Sequence, residues 1–170
     1  NTFGIDVKAS LFADIHSADD LVALFTNSEI EGKKLLVLGG GSNMLFTKDF
    51  DGVVVKLSIP GISYTTQGDE ILVTAGAGVV WNNLVTFCVN NGFAGLENLT
   101  LIPGTVGASP IQNIGAYGVE LKDVFLSCQA FEIATLETKM FSFEDCKFGY
   151  RDSVFKNELN PFVKTTAPAI

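Results

Sequence analysis

Apolar residues come along this chain in short blocks. Residues 35–38, Leu-Leu-Val-Leu, make a strand-length run that ends in Gly39-Gly40-Gly41-Ser42-Asn43, and Val53-Val54-Val55 makes another. Both read as buried strands. A shorter strand is predicted over residues 11–15. After it, Ser17-Ala18-Asp19-Asp20 has the form of a helix start, a serine cap with an acid three residues on. Leu21, Leu24 and Phe25 follow at helical spacing. The region to about Ser58 therefore reads strand–helix–strand–loop–strand.

The second region starts with a strand at residues 71–75 that ends in Gly76-Ala77-Gly78. Val80, Leu84, Phe87 and Cys88 share one face of a following helix, which Asn91-Gly92 stops. Residues 123–143 read as a hairpin: Phe131, Ile133 and Thr135 alternate, the turn falls near 135–138, and Met140 to Phe143 returns. Ser142-Phe143-Glu144-Asp145 reads as the cap of a short helical turn, and Phe162 to Thr166 is strand-like with no closing element after it. Strands and helices mix without a regular βαβ repeat, so the fold class is α+β. Two lobes are expected, residues 1–58 and 59–170.

Composition narrows the function. The chain has 170 residues, is 47% hydrophobic and carries a net charge of −8, with no cluster of Lys or Arg. Nucleic-acid binding, which depends on neutralising phosphates, is not expected. No apolar run nears the roughly 20 residues of a membrane span, and no basic start leads into an apolar block. A cytoplasmic, monomeric protein without membrane contact is expected. Cys88, Cys128 and Cys146 are odd in number, form no C-x-x-C, and accompany a single histidine, His16, so no metal site is expected. The chain starts at Asn1 rather than Met; with the open strand at the other end, this suggests an excised domain.

The candidate chemistry lies in glycine. Between Glu97 and Glu120 there is no charged residue, and residues 101–118 hold four glycines and two prolines. An irregular segment must satisfy its backbone groups somewhere. In an acidic chain, an anion has to be met by backbone N–H groups in glycine turns rather than by bulk charge. Gly39-Gly40-Gly41 and Gly76/Gly78 are further candidates, the latter read as plain turns. Met44 and Trp81 stand where the third glycine of a Rossmann fingerprint belongs, and no phosphate-loop motif occurs. A large, partly aromatic ligand rich in acceptors, or burial under another domain, would each account for the charge-free segment. His16, Trp81 and the acids Asp14, Asp19 and Asp20 read as a cap neighbour, a packing residue and a solvated helix start.

Three blocks together resemble the UDP-N-acetylenolpyruvoylglucosamine reductase family. They are Gly40-Gly41-Ser42-Asn43, the run from Ile102 to Gly118 (IPGTVGASPIQNIGAYG), and Phe148-Gly149-Tyr150-Arg151-Asp152-Ser153. The resemblance spans nearly the whole chain, and the segment YGVEL at 117–121 is similar to the subtype with a larger C-terminal region. It implies a two-lobed FAD-binding domain of the vanillyl-alcohol-oxidase type, in a flavoprotein oxidoreductase of peptidoglycan precursor synthesis. NADPH would be the reductant, and a UDP-sugar enolpyruvyl ether, reduced to UDP-N-acetylmuramate, the substrate. By the same resemblance, Gly40, Gly41, Ser42 and Asn43 match a loop around the FAD diphosphate. Pro103, Gly104, Gly107, Ala108, Ser109, Ile111, Gly115, Ala116 and Gly118 match a segment along flavin and diphosphate.

Arg151 matches the family's catalytic arginine. Reduction builds negative charge next to the substrate carboxylate, and a guanidinium fork suits that group. The competing reading of Arg151 is a surface ion pair with Asp152 or Glu144. Tyr150 is not assigned a role. The family's proton donor, a serine, lies in a C-terminal substrate domain expected beyond Ile170. Two other functions remain open: a stand-alone flavin-binding module without catalysis, and an FAD-dependent oxidase of small alcohols, which often tethers its flavin through His, Tyr or Cys.

Overall fold

A computed structural model describes residues 1–157 and the backbone of residues 162–169. The first region holds β1 (Ala9–Ile15), α1 (Ala18–Phe25), β2 (Leu35–Leu38) and β3 (Phe50–Leu57). The three strands form one parallel sheet in the order β1-β3-β2. β3 is central, and its residues 52–55 are buried without interruption, the pattern of a strand covered on both faces. β1, at an edge, alternates instead. Leu21 of α1 is fully buried against Ile15, Val53 and Val55. The helix starts as its sequence requires: Ser17 Oγ accepts the Asp20 N–H, and the Asp20 carboxylate accepts the N–H groups of His16 and Ser17. These bonds, His16's first, hold the Asp20 carboxyl below its ordinary range.

The second region adds β4 (Ile62–Gln67), β5 (Glu70–Gly76), α2 (Trp81–Asn90), β6 (Gly115–Ala116), β7 (Val119–Glu120), β8 (Ser127–Glu132), β9 (Glu137–Ser142), α3 (Val154–Asn157) and β10 (Phe162–Ala169). Five of these form an antiparallel sheet in the order β4-β5-β10-β8-β9. The run that the sequence leaves open, from Phe162, thus lies in the middle of this sheet and joins its two hairpins. Trp81, Leu84, Val85 and Cys88 pack on Val73, Ala75, Cys128 and Ala130. Successive β8 side chains face opposite ways, so Ala130 faces this core while Phe131 reaches the other one and stacks on Phe25 at 6.0 Å. One strand thereby ties both cores together.

Several expectations shift. β4 has no counterpart in the sequence reading, because Tyr64, Thr65, Thr66 and Gln67 are exposed and carry no apolar alternation. Val80 is not on the helix face. It is the N-cap residue, half exposed, and Trp81 takes the buried place, its indole N–H donating to the Leu99 carbonyl at 2.8 Å. The β8–β9 turn falls at 133–136, with Leu136 in a left-handed conformation. Residues 143–147 form a turn rather than a helix, although Ser142 and Asp145 exchange the expected capping bonds. All three cysteines are buried, and burial pushes the Cys88 thiol up. No helix among the described residues is long and apolar enough to cross a membrane.

Candidate cofactor site

The loop after β2 and the segment after residue 102 meet in a cleft of about 230 Å³, lined by residues 37–44, Trp81 and much of 103–114. The two strands of chain approach backbone to backbone. A Cβ on Gly40 would stand 3.6 Å from the Gly104 Cα, and Gly104 itself has φ +123, which side-chain-bearing residues rarely adopt. The floor is set by Gly107, whose N–H donates to the Ala77 carbonyl at 2.9 Å. A Cβ there would come within 2.6 Å of the Ala77 Cβ. Residues 101–118 are therefore less irregular than they read: Val106–Gln112 is a 3-10 helix wedged against the turn that follows β5. Gly76 and Gly78 pack on residues 58–60, in keeping with their reading as plain turns.

The donor chemistry of the cleft is neutral. Among the described residues no charged side chain lines it, in a chain of net charge −8. The N–H groups of Gly40, Gly41, Ser42, Asn43 and Gly104 donate to no described residue. Successive N–H groups at a glycine turn are suited to an anion such as a diphosphate, and among the described residues no carboxylate lines the cleft to repel one. Ser109 is buried and donates to the Val106 carbonyl at 2.7 Å, so its hydroxyl already serves the 3-10 helix.

The expected residues divide into two groups. Gly40, Gly41, Ser42, Asn43, Pro103, Gly104, Ala108, Ser109 and Ile111 line the cleft, with Gly107 beneath them. Gly115, Ala116 and Gly118 lie outside it, on the small β6–β7 hairpin whose exposed tip is Tyr117. Arg151 also lies outside, on a tight turn closed by reciprocal backbone bonds between Gly149 and Asp152, and has φ +52.

Three hydrogen bonds staple that turn to the segment beside the cleft. Arg151 Nη2 donates to the Gly115 carbonyl at 2.9 Å, Asn113 Nδ2 donates to the Gly149 carbonyl at 3.0 Å, and Ser153 Oγ donates to the Ile111 carbonyl at 2.8 Å. Asn113 has no exposed surface, and its Oδ1 also accepts the Lys122 N–H at 3.0 Å. It takes the left-handed conformation that asparagine tolerates better than most residues. Sequence reasoning did not single out Asn113 and missed this clamp; the signal that could have found it is an amide side chain inside a charge-free run. The surface ion pair considered for Arg151 does not form among the described residues. The Asp152 carboxylate instead accepts the Asn157 amide. Nearby, Lys122 is engaged by Glu120 at 2.6 Å, which pushes the Lys122 ammonium up.

The combination of sheet pair and glycine cleft defines a cofactor-binding domain, and sequence comparison agrees. The chain matches the FAD binding domain family over residues 9–142 and belongs to it. It is 48% identical over 160 residues to UDP-N-acetylenolpyruvoylglucosamine reductase of Flavobacterium johnsoniae, covering 94% of this chain and 47% of that protein. The same-named protein of Pseudomonas syringae pv. syringae is 52% identical over 160 residues, with the same coverage. The chain thus spans about half the length of the curated relatives it matches. In fold it is similar to UDP-N-acetylenolpyruvylglucosamine reductase from Thermus caldophilus, with a TM-score of 0.73 at 24% identity, covering 94% of this chain and 54% of that one. It is also similar to 6-hydroxy-D-nicotine oxidase from Arthrobacter nicotinovorans, with a TM-score of 0.62 at 20% identity, over 96% of this chain and 36% of that one. The expected α+β FAD-binding fold is borne out.

Proposed function

We propose that this chain is the FAD-binding part of a UDP-N-acetylenolpyruvoylglucosamine reductase, with lobes at residues 1–58 and 59–170. The observation that carries the reading is a charge-free, N–H-rich cleft beside a stapled arginine that has no ion-pair partner among the described residues. The N–H groups of residues 40–43 and Gly104 would hold the diphosphate, with Pro103, Ala108 and Ile111 along the cofactor and Gly115, Ala116 and Gly118 toward its ring. FAD, recharged by NADPH, would supply the two-electron reduction of the enolpyruvyl ether. Arg151 spends one N–H on Gly115 and keeps the rest of its five donors. Its fork would hold the substrate carboxylate and stabilise the negative charge that builds beside it. The proton donor belongs to the substrate-binding part of the longer protein. A monomeric, cytoplasmic enzyme is proposed.

The oxidase alternative draws on fold likeness alone. Among the described residues no His, Tyr or Cys lines the cleft, so none of them there offers the usual tether for a covalent flavin. Acid precipitation of the yellow full-length protein should release free FAD, whereas flavin retained in the pellet would favour the oxidase. The decisive assay is NADPH consumption dependent on the enolpyruvyl UDP-sugar, run with the full-length gene product. No substrate-dependent turnover in a protein that holds FAD would leave only the flavin-binding module.

A further inference from the structure

The turn that carries Arg151 is closed by Gly149 and Asp152, which exchange N–H to carbonyl bonds of 3.0 and 3.2 Å. The Arg151 carbonyl stands outside this exchange. It is taken by a side chain five residues on: Lys156 Nζ donates to it at 2.9 Å. The bond matters because of what lies behind it. Arg151 has φ +52, a left-handed conformation that a residue with a side chain holds at a cost. Such a residue keeps its conformation only while its surroundings impose it.

Lys156 is well placed to impose it. It belongs to α3, whose Val154 and Phe155 are buried in the core of the second region. The Val154 N–H donates to the Cys146 carbonyl at 2.9 Å, and the Lys156 N–H donates to the Ser153 carbonyl at 3.1 Å. The lysine stem therefore springs from a pinned stretch of chain, although its ammonium is exposed. Beside it, Asn157 Nδ2 donates to both oxygens of the Asp152 carboxylate, at 3.0 and 2.9 Å. That keeps the nearest acid in the sequence occupied. Among the described residues no carboxylate pairs with Lys156, so its ammonium is spent on the Arg151 carbonyl.

We propose that Lys156 is a positioning residue for Arg151. Arg151 is gripped at both ends: its guanidinium by the Gly115 carbonyl, its backbone carbonyl by Lys156. Two fixed ends leave the fork one direction in which to present its remaining donors. Without the second grip, the backbone of Arg151 is free to leave the left-handed region, and the fork turns with it. Lys156 acts through Arg151 and not on the substrate itself. This role rests on the reading of Arg151 proposed above.

The test is a double-mutant cycle in the full-length gene product, read as NADPH consumption with the enolpyruvyl UDP-sugar. Lys156→Met keeps the stem and loses the donor. It should lower kcat about 10-fold, the scale of one hydrogen bond to a charged group, with the FAD dissociation constant unchanged. Lys156→Arg keeps a cationic donor and should restore most of the loss. In an Arg151→Lys background, Lys156→Met should change kcat less than about twofold, because the group it positions is already gone. In the flavin-free protein, trypsin should cut after Arg151 faster in Lys156→Met than in wild type, with cutting after Lys33 and Lys34 unchanged. Normal kcat in Lys156→Met overturns the proposal, and so does an undiminished loss in the Arg151→Lys background. Cutting that speeds up at all sites alike also overturns it, because the lysine would then support the fold in general. A wild-type protein with no turnover on that sugar would instead sink the reductase reading, and this role with it.

Discussion

On the proposed reading, the backbone is the working surface of the cleft between residues 39–44 and 103–114, whereas a side chain is that of the turn at 149–152. The cleft is made by leaving side chains out: a Cβ on Gly40 would meet Gly104, one on Gly107 would clash with Ala77, and the N–H groups left over face no carboxylate among the described residues. The Arg151 turn is made by putting side chains in, since the Asn113 amide, the Ser153 hydroxyl and the arginine itself cross-link two distant segments. The difference separates two tasks. A cofactor held by fixed backbone donors needs no charge and no rotamer to be set. A charge that must act on a substrate needs a side chain held in one orientation.

The sharpest way to break the comparison is to change the arginine alone. Arg151→Lys keeps the charge and loses the planar fork. In the full-length enzyme kcat should fall roughly 100-fold or more, on the scale of one oxyanion donor, while the FAD dissociation constant stays put. Near-normal turnover would remove Arg151 from the chemistry. Gly104→Ala is the converse. A side chain at φ +123 costs about 1–3 kcal/mol. FAD titration should show affinity weakened by roughly 5- to 150-fold, with turnover at saturating FAD little changed. If both variants moved the same constant, the two regions would be one site rather than two.

Asn113 is where the regions couple. Asn113→Ala strands the Gly149 carbonyl and the Lys122 N–H, at a cost of about 1–3 kcal/mol. Released from its staple, the turn should be cut faster by trypsin after Lys147 and Arg151, and kcat should drop with FAD affinity retained. Asn113→Asp keeps the acceptor for Lys122 N–H but sets a carboxylate oxygen against the Gly149 carbonyl, and should loosen the turn at least as much. Unchanged tryptic rates in both variants would show that the Gly115 and Ser153 bonds suffice.

How much of this was legible depends on which kind of information each part uses. Glycine spacing and missing charge are visible in a string of letters, so the cleft's composition and the capping box at Ser17 could be read directly. The parallel order β1-β3-β2 could not, because it depends on which strand the long loop after Asn43 brings to the middle. β4 stayed hidden because its exposed side chains carry no periodicity. The pairing of Asn113 with Gly149 spans 36 residues and leaves no local mark. Arg151 was found through resemblance; its own neighbours suggested an ion pair that does not form among the described residues.

The smallest expected effect comes from pH, and it again separates the cleft from its surroundings. The Asp20 carboxyl is held low by the His16 and Ser17 N–H groups, and Asp145 by the Ser142 N–H and hydroxyl. A carboxyl whose folded pKa lies below its unfolded value, near 3.9, stabilises the fold above that value and loses the contribution as pH falls through the folded one. Between about pH 5 and pH 2, therefore, denaturation midpoints should decline. The decline should flatten in Asp20→Asn, which keeps an acceptor for the same N–H groups but does not titrate. The cleft's donors are backbone N–H groups and carry no titrating proton across that range. FAD affinity, measured while the protein is still folded, should change little as the midpoint begins to drop. Affinity that fell in step with the midpoint from pH 5 downward would mean that a carboxylate supports the cleft after all.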